Sequence, residues 1–336
     1  MMKCKRFAAA FLCATCAAVM PGSGYPARSL DRGGSSPGAG RNVTGVYVSV
    51  FKSVKSGFNA AQLEKLSAFR ILFVPGFLSN SLQYSPKAEK GPLGLIPTFF
   101  DEQLNWLRAQ GLDAAIVPIE SEAGIAHNAG LIQAAVKKSR KPVIMICHSK
   151  GGLDTLEGLL TSAAMRGKVK GAVFIQSPFY GSPIADLILK SDVSAIPAKV
   201  ALQALGGSLK SLDDLAVKGR KDYQSRNADA ILAVTSAIPV ISFGSYKNKE
   251  KNRIDTVLKL FRDLMADAGI KNDGLVPVSS AMLPGSNKIS VGGVDHAATV
   301  LAVAVPEFDR TRFIQTMLVM LLSMGLTERA PVQSAI

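Results

Sequence analysis

The sequence predicts an α/β protein built on a mostly parallel, doubly wound sheet, and two observations carry that expectation. Short, almost wholly apolar runs recur along the chain, as strands covered on both faces require. Between them lie stretches whose apolar residues return at three- and four-residue steps, the period of a helix with one buried stripe. Strands alternating with helices in this way give a parallel sheet with crossover helices.

The chain has 336 residues, enough to bury a large core. Lys3, Lys5 and Arg6 form a charged start, Phe7 to Met20 an apolar run, and Pro21, Gly22, Ser23 and Gly24 a small-residue break. Residues 1–27 therefore read as a signal peptide, cleaved near Gly24 to Ala27, and the protein is expected to be exported, periplasmic or secreted. The apolar run is 14 residues long, shorter than the roughly 20 needed to span a bilayer. Residues 28–42 are a Gly- and Ser-rich flexible leader, and one domain is expected over 43–336. Val43 to Val50 alternates in part and is rich in Val and Tyr, which predicts an edge strand.

The apolar runs at Phe69 to Val74, Ala114 to Val117, Val143 to Cys147, Ala172 to Ile175, Val240 to Phe243 and Ile289 to Val291 are the predicted sheet. Helical stripes follow in Leu153, Leu156, Leu159, Leu160 and Ala163, and in Ile254, Val257, Leu258, Phe261, Leu264, Met265 and Ala268, the last closed by Gly269. Residues 180–235 break this rhythm. They contain no strand-like run but carry amphipathic stretches (Ile196, Val200, Ala204; Leu209, Leu212, Ala216), which predicts a helical cap inserted late in the sheet. The 14 apolar-rich residues from Phe313 to Leu326 read as a packed final helix.

The formal net charge is +14, and loss of the signal segment leaves about +11. The basic residues are scattered and are not interleaved with aromatics, so nucleic acid is excluded as a partner, whereas transient contact with an anionic membrane surface is compatible. Three of the four cysteines lie in the signal segment, leaving Cys147 alone and no internal disulfide. No cofactor or metal is expected, and the mature chain is read as a monomer.

The chemistry lies at Val143-Ile-Met-Ile-Cys147-His148-Ser149-Lys150-Gly151-Gly152. A buried strand runs into a serine whose neighbours at −2 and +2 are small, and then into a helix. A strand-to-helix turn of this kind lifts the serine hydroxyl clear of the sheet, and the small neighbours let helix and strand approach. Cys147 stands where such turns usually have glycine. A serine hydroxyl needs a base to take its proton and an acid to orient that base. Of the three histidines, His148 adjoins the serine and is expected to point elsewhere. His127 falls in a helical stretch from Ser121 to Lys138, whereas His296 follows the last strand. Asp273, in the turn-forming Asn272-Asp273-Gly274-Leu275-Val276-Pro277, is the expected acid, ahead of Asp295, which adjoins the base. The oxyanion is expected to meet the backbone N–H groups of Lys150 and of Phe77, the latter in the Pro75-Gly76-Phe77 loop.

Taken together these motifs resemble the α/β-hydrolase lipases and esterases, particularly bacterial triacylglycerol lipases. Four of them stand in the family's order: the Gly76 loop, the Ser149 elbow, the Asp273 loop and Asp295-His296. The resemblance implies an α/β-hydrolase fold, a Ser149 acyl-enzyme and a lipid-like or other apolar acyl ester as substrate. Pro75 replaces the usual histidine of the oxyanion loop. Ala297-Ala298-Thr299 follow the base without the calcium-binding aspartate of many such lipases, and Lys150 after the nucleophile is unusual among them. These departures weaken triacylglycerol as the substrate. The second function class is a catalytically silent hydrolase-fold protein that binds lipid or an envelope partner.

Overall fold

The computed structural model describes residues 40–55, 57–77, 79, 99–190, 209–248, 257–301 and 308–326. The signal segment, nearly all of the leader and the Ile196, Val200 and Ala204 stretch lie outside the described residues.

Six parallel strands form one sheet in the order β2-β1-β3-β4-β5-β6: β1 Arg70–Val74, β2 Asp113–Ile116, β3 Val143–His148, β4 Val169–Ile175, β5 Val240–Tyr246 and β6 Asn287–Gly292. All six coincide with the predicted runs to within a few residues. The side-chain period of two sends Ile71, Phe73, Ile144, Ile146, Val173 and Ile175 into one buried layer, and Leu72, Val74, Met145, Cys147, Ala172 and Phe174 into the other. Both faces are buried, which is why the strands read as continuous apolar runs.

The helices are α1 Thr44–Ser53, α2 Ala60–Ser67, α3 Asp101–Ala109, α4 Ile125–Lys138, α5 Lys150–Thr161, α6 Ala163–Lys168, α7 Pro183–Lys190, α8 Val217–Arg226, α9 Ala228–Ala237, α10 Val257–Asp267 and α11 Arg310–Ser323. One layer is closed by α4, α5, α9 and α10 through Ile132, Leu156, Ile231 and Met265. The other is closed by α1, α2, α3 and α11 through Tyr47, Leu66, Leu107 and Met317. The final helix packs as expected, with Phe313, Ile314, Met317, Leu318 and Leu321 buried. Among the described residues, no helix is long and apolar enough to cross a membrane.

The expected edge strand over Val43 to Val50 is instead helix α1. Val43, Tyr47, Val50 and Phe51 follow a helical step as well as they alternate, and the buried Tyr47 ring meets Phe243 and Phe313 at centroid distances of 5.8 and 6.5 Å. Val46 and Val48 are left exposed at 52% and 39%. Tertiary packing of one aromatic stripe overrides the local β preference of valine. The edge of β6 is met by the start of this helix: the Val43 N–H donates to the Lys288 carbonyl (2.9 Å), and the Ser290 N–H to Thr44 Oγ1 (3.0 Å).

Between β4 and β5 the described residues hold α7, a 3₁₀ helix over Leu209–Leu215, α8 and α9, with no strand. The start of this insertion is tied to the loop before β6. The Tyr180 N–H donates to Ser280 Oγ (3.2 Å), and the Ser182 hydroxyl donates to the Leu275 carbonyl (2.5 Å).

Candidate functional site

At the C-terminal end of β3 the backbone turns sharply at Ser149, which adopts φ 53° and ψ −128°, a conformation costing an L-residue about 1–3 kcal/mol. The turn is held by the Ser149 N–H donating to the Ile175 carbonyl of β4 (2.9 Å). Close approach explains the glycines. A Cβ at Gly151 would stand 2.3 Å from the Pro75 carbonyl oxygen and 2.6 Å from that of Val74, and one at Gly76 would stand 2.8 Å from Ser149 Cβ. Gly151→Ala is therefore expected to cost about 1–3 kcal/mol, read as a lower midpoint in urea unfolding, because backbone must shift on both sides. Cys147 fits without a glycine at −2. Its thiol points into the core, where Sγ lies 3.2 Å from Thr155 Oγ1 and burial pushes its pKa up to about 12. It is thus an inert packing residue.

The structure brings Ser149, His296 and Asp273 into one hydrogen-bonded line. Ser149 Oγ lies 3.0 Å from His296 Nε2, and His296 Nδ1 lies 2.9 Å from Asp273 Oδ2. A carboxylate can only accept, so Nδ1 carries the proton and Nε2 is left to accept from the serine hydroxyl. Asp273 is fixed by its own turn: Oδ1 accepts the N–H groups of Leu275 (3.0 Å) and Val276 (2.7 Å), leaving Oδ2 for the imidazole. Asn272 braces that turn, accepting from the Gly274 N–H (2.9 Å) and donating to the carbonyls of Arg262 and Ile270. Gly274 sits at φ +107°, where a side chain would be strained. The two loops are joined again by the His296 N–H donating to the Asp273 carbonyl (2.9 Å).

Asp295, the competing acid, is engaged elsewhere. Its Oδ1 accepts the N–H groups of Ala297 (2.9 Å) and Ala298 (2.8 Å), and its Oδ2 lies 3.8 Å from Lys247 Nζ. His127 is on the exposed side of α4, 3.2 Å from Glu120, and takes no part. Lys150 opens α5, where first-turn N–H groups have no partner within the helix. Its ammonium is wholly buried, donating to both carboxylate oxygens of Asp154 at 2.9 and 3.1 Å. Phe77 is half-buried in the loop that passes Ser149.

Two contacts near the site have no counterpart in the sequence analysis above. His148 does point away from Ser149, but its ring packs on that of His296 with centroids 4.7 Å apart. Burial, and then the neighbouring His296, hold its pKa well below the usual value, so it stays neutral. Gln176, at φ 52° just after β4, donates to Ser245 Oγ (2.6 Å) and the Asp295 carbonyl (3.0 Å) and accepts from Thr299 Oγ1 (2.8 Å). It thereby anchors the base loop to the sheet. A polar residue directly after an apolar strand is the one sequence signal that could have marked it. A separate groove of about 500 Å³, lined by Leu159, Leu160, Arg166, Ala233 and Ile238 among others, lies at the far end of α5 and includes none of these groups.

A six-stranded parallel sheet with helices on both faces, a strained serine after β3 and a histidine after β6 define the α/β-hydrolase fold, and the chain has it. Among solved structures it is similar to a carboxyl esterase of metagenomic origin, at 20% identity and a TM-score of 0.62, covering 81% of this chain and 79% of that one. It is also similar to the mature form of a lipase from Bacillus licheniformis, at 19% identity and a TM-score of 0.55, covering 77% of this chain and 92% of that one. No protein-family model and no curated protein matches the sequence.

Proposed function

We propose that this protein is an exported, monomeric serine hydrolase of carboxylic esters with apolar acyl groups, working through a Ser149 acyl-enzyme. The observation that carries the reading is the unbroken line from the Ser149 hydroxyl through His296 to Asp273. In this mechanism His296 Nε2 takes the hydroxyl proton as Ser149 Oγ bonds to the ester carbonyl carbon. Asp273 holds the imidazolium that results. The tetrahedral oxyanion is met by the N–H of Lys150 at the N-terminus of α5, where the helix dipole also favours negative charge, and by that of Phe77. His296 then returns the proton to the leaving alkoxide, and water, activated by the same base, releases the acid.

The fold shared with a carboxyl esterase and a lipase supports ester chemistry. The insertion between β4 and β5, tied to the acid loop through Ser182 and Ser280, is the proposed cap that selects the acyl group. A fluorophosphonate probe tests the reading: wild type should be labelled at Ser149, and Ser149→Ala should not. A folded wild type that takes no label would instead favour a silent binder. A series of p-nitrophenyl esters of rising chain length would then rank the acyl preference.

A further inference from the structure

His148 stands between Cys147 and the nucleophile and is 2% exposed. Its Nε2 lies 3.0 Å from the His296 carbonyl oxygen, which can only accept, so the proton of the neutral ring sits on Nε2. Nδ1 is then the acceptor nitrogen, buried and with no hydrogen bond of ordinary geometry among the described residues, the Gln176 side chain lying beside the ring. A Cβ at Gly76 would lie 3.2 Å from that atom, so the ring also touches the loop carrying Phe77. Phe99 and Phe100 flank the ring at 6.1 and 6.3 Å between centroids. Leucine or phenylalanine would fill an apolar slot of this kind without burying two ring nitrogens, one of them unsatisfied. What histidine adds here is a single donor, and that donor is aimed at residue 296.

We propose that His148 is a positioning residue: it holds the His296 loop by its main-chain carbonyl and packs against the His296 ring, keeping Nε2 of the base within reach of Ser149. The proposal rests on the Ser149-His296-Asp273 reading and deepens it. Its neutral state suits the task, because the ring faces the imidazolium that His296 becomes. Among the described residues the other groups against it are Gln176, Phe99, Phe100 and Gly76, none of them charged, and Asp273 lies beyond His296. A cationic His148 would oppose protonation of the base beside it.

The test compares His148→Leu with His148→Gln in the full mature chain. His148→Leu should lower kcat on a p-nitrophenyl ester, and the rate of fluorophosphonate labelling, about tenfold with KM unchanged. His148→Gln, whose amide can donate to the same carbonyl, should recover most of that loss. Nitrogen chemical shifts of the wild-type ring should report a neutral imidazole protonated on Nε2, a readout that needs no variant to fold. A folded His148→Leu with wild-type kcat, a His148→Gln no better than the leucine variant, or an Nδ1-protonated ring would each overturn the proposal. If wild type shows no turnover that depends on Ser149, the parent reading fails instead, and the two failures are told apart.

Discussion

Ser149→Ala should lower kcat on a p-nitrophenyl ester by about 10⁶-fold, and His296→Ala by a similar factor, because nucleophile and base act as one unit. The double variant should be no slower than either single one. Asp273→Asn should cost about 10⁴-fold. Its amide can still sit beside His296 Nδ1, but it can present a donor there, which favours the tautomer with the proton on Nε2. That tautomer cannot accept from the Ser149 hydroxyl 3.0 Å away. Steady-state kinetics on purified variants, with thermal unfolding to show that each is folded, read these effects. Residual turnover above about 1% of wild type in Ser149→Ala would mean that another group carries the chemistry. None of the three substitutions should unfold the protein. Asp273→Asn is the most exposed to that risk, since its carboxylate also accepts two backbone N–H groups of its own turn.

Those three residues were legible because the elements that bring them together are local signals. Ser149 follows a six-residue apolar strand, Asp273 sits in a turn whose every member has a local reason, and His296 comes directly after the last strand. The fold orders these signals at one sheet edge, so reading the strands correctly placed the site. What was not legible depends on contacts distant in sequence. Tyr47 makes helix α1 only because Phe243 and Phe313 lie beneath it, nearly two hundred or more residues away. Gln176 anchors the base loop through Asp295 and Thr299, and its place directly after an apolar strand marks it only as unusual, without naming those partners. His148 is not the base, yet its contact with His296 is visible only when the two loops are folded against each other. Lys150 shows a further limit: a lysine is usually read as a surface charge, and here it is sealed in the core.

That buried lysine sets the second large effect. Asp154→Ala should destabilise the protein by about 3–5 kcal/mol, because it leaves the Lys150 ammonium in the core without the side chain that accepts its hydrogen bonds. Asn128 Nδ2, which donates to Asp154 Oδ2 at 3.0 Å, would lose that acceptor too. Burial pushes the Asp154 carboxyl up to about 7 even with Lys150 against it. A carboxyl raised in the fold holds a proton that the unfolded chain releases, so its contribution to stability is full below its unfolded value and is lost as pH rises through about 7. The deficit of Asp154→Ala, measured by urea unfolding, should therefore narrow between about pH 4 and about pH 7. Replacing both partners, Lys150→Met with Asp154→Leu, removes the two buried charges together and should recover most of the stability. Activity should survive in that double variant, since the proposed work of residue 150 is done by its main-chain N–H and not by its ammonium. A double variant as unstable as Asp154→Ala would show that the cost lies in packing around α5 rather than in an uncompensated charge. A stable but inactive one would show instead that the ammonium matters to the reaction.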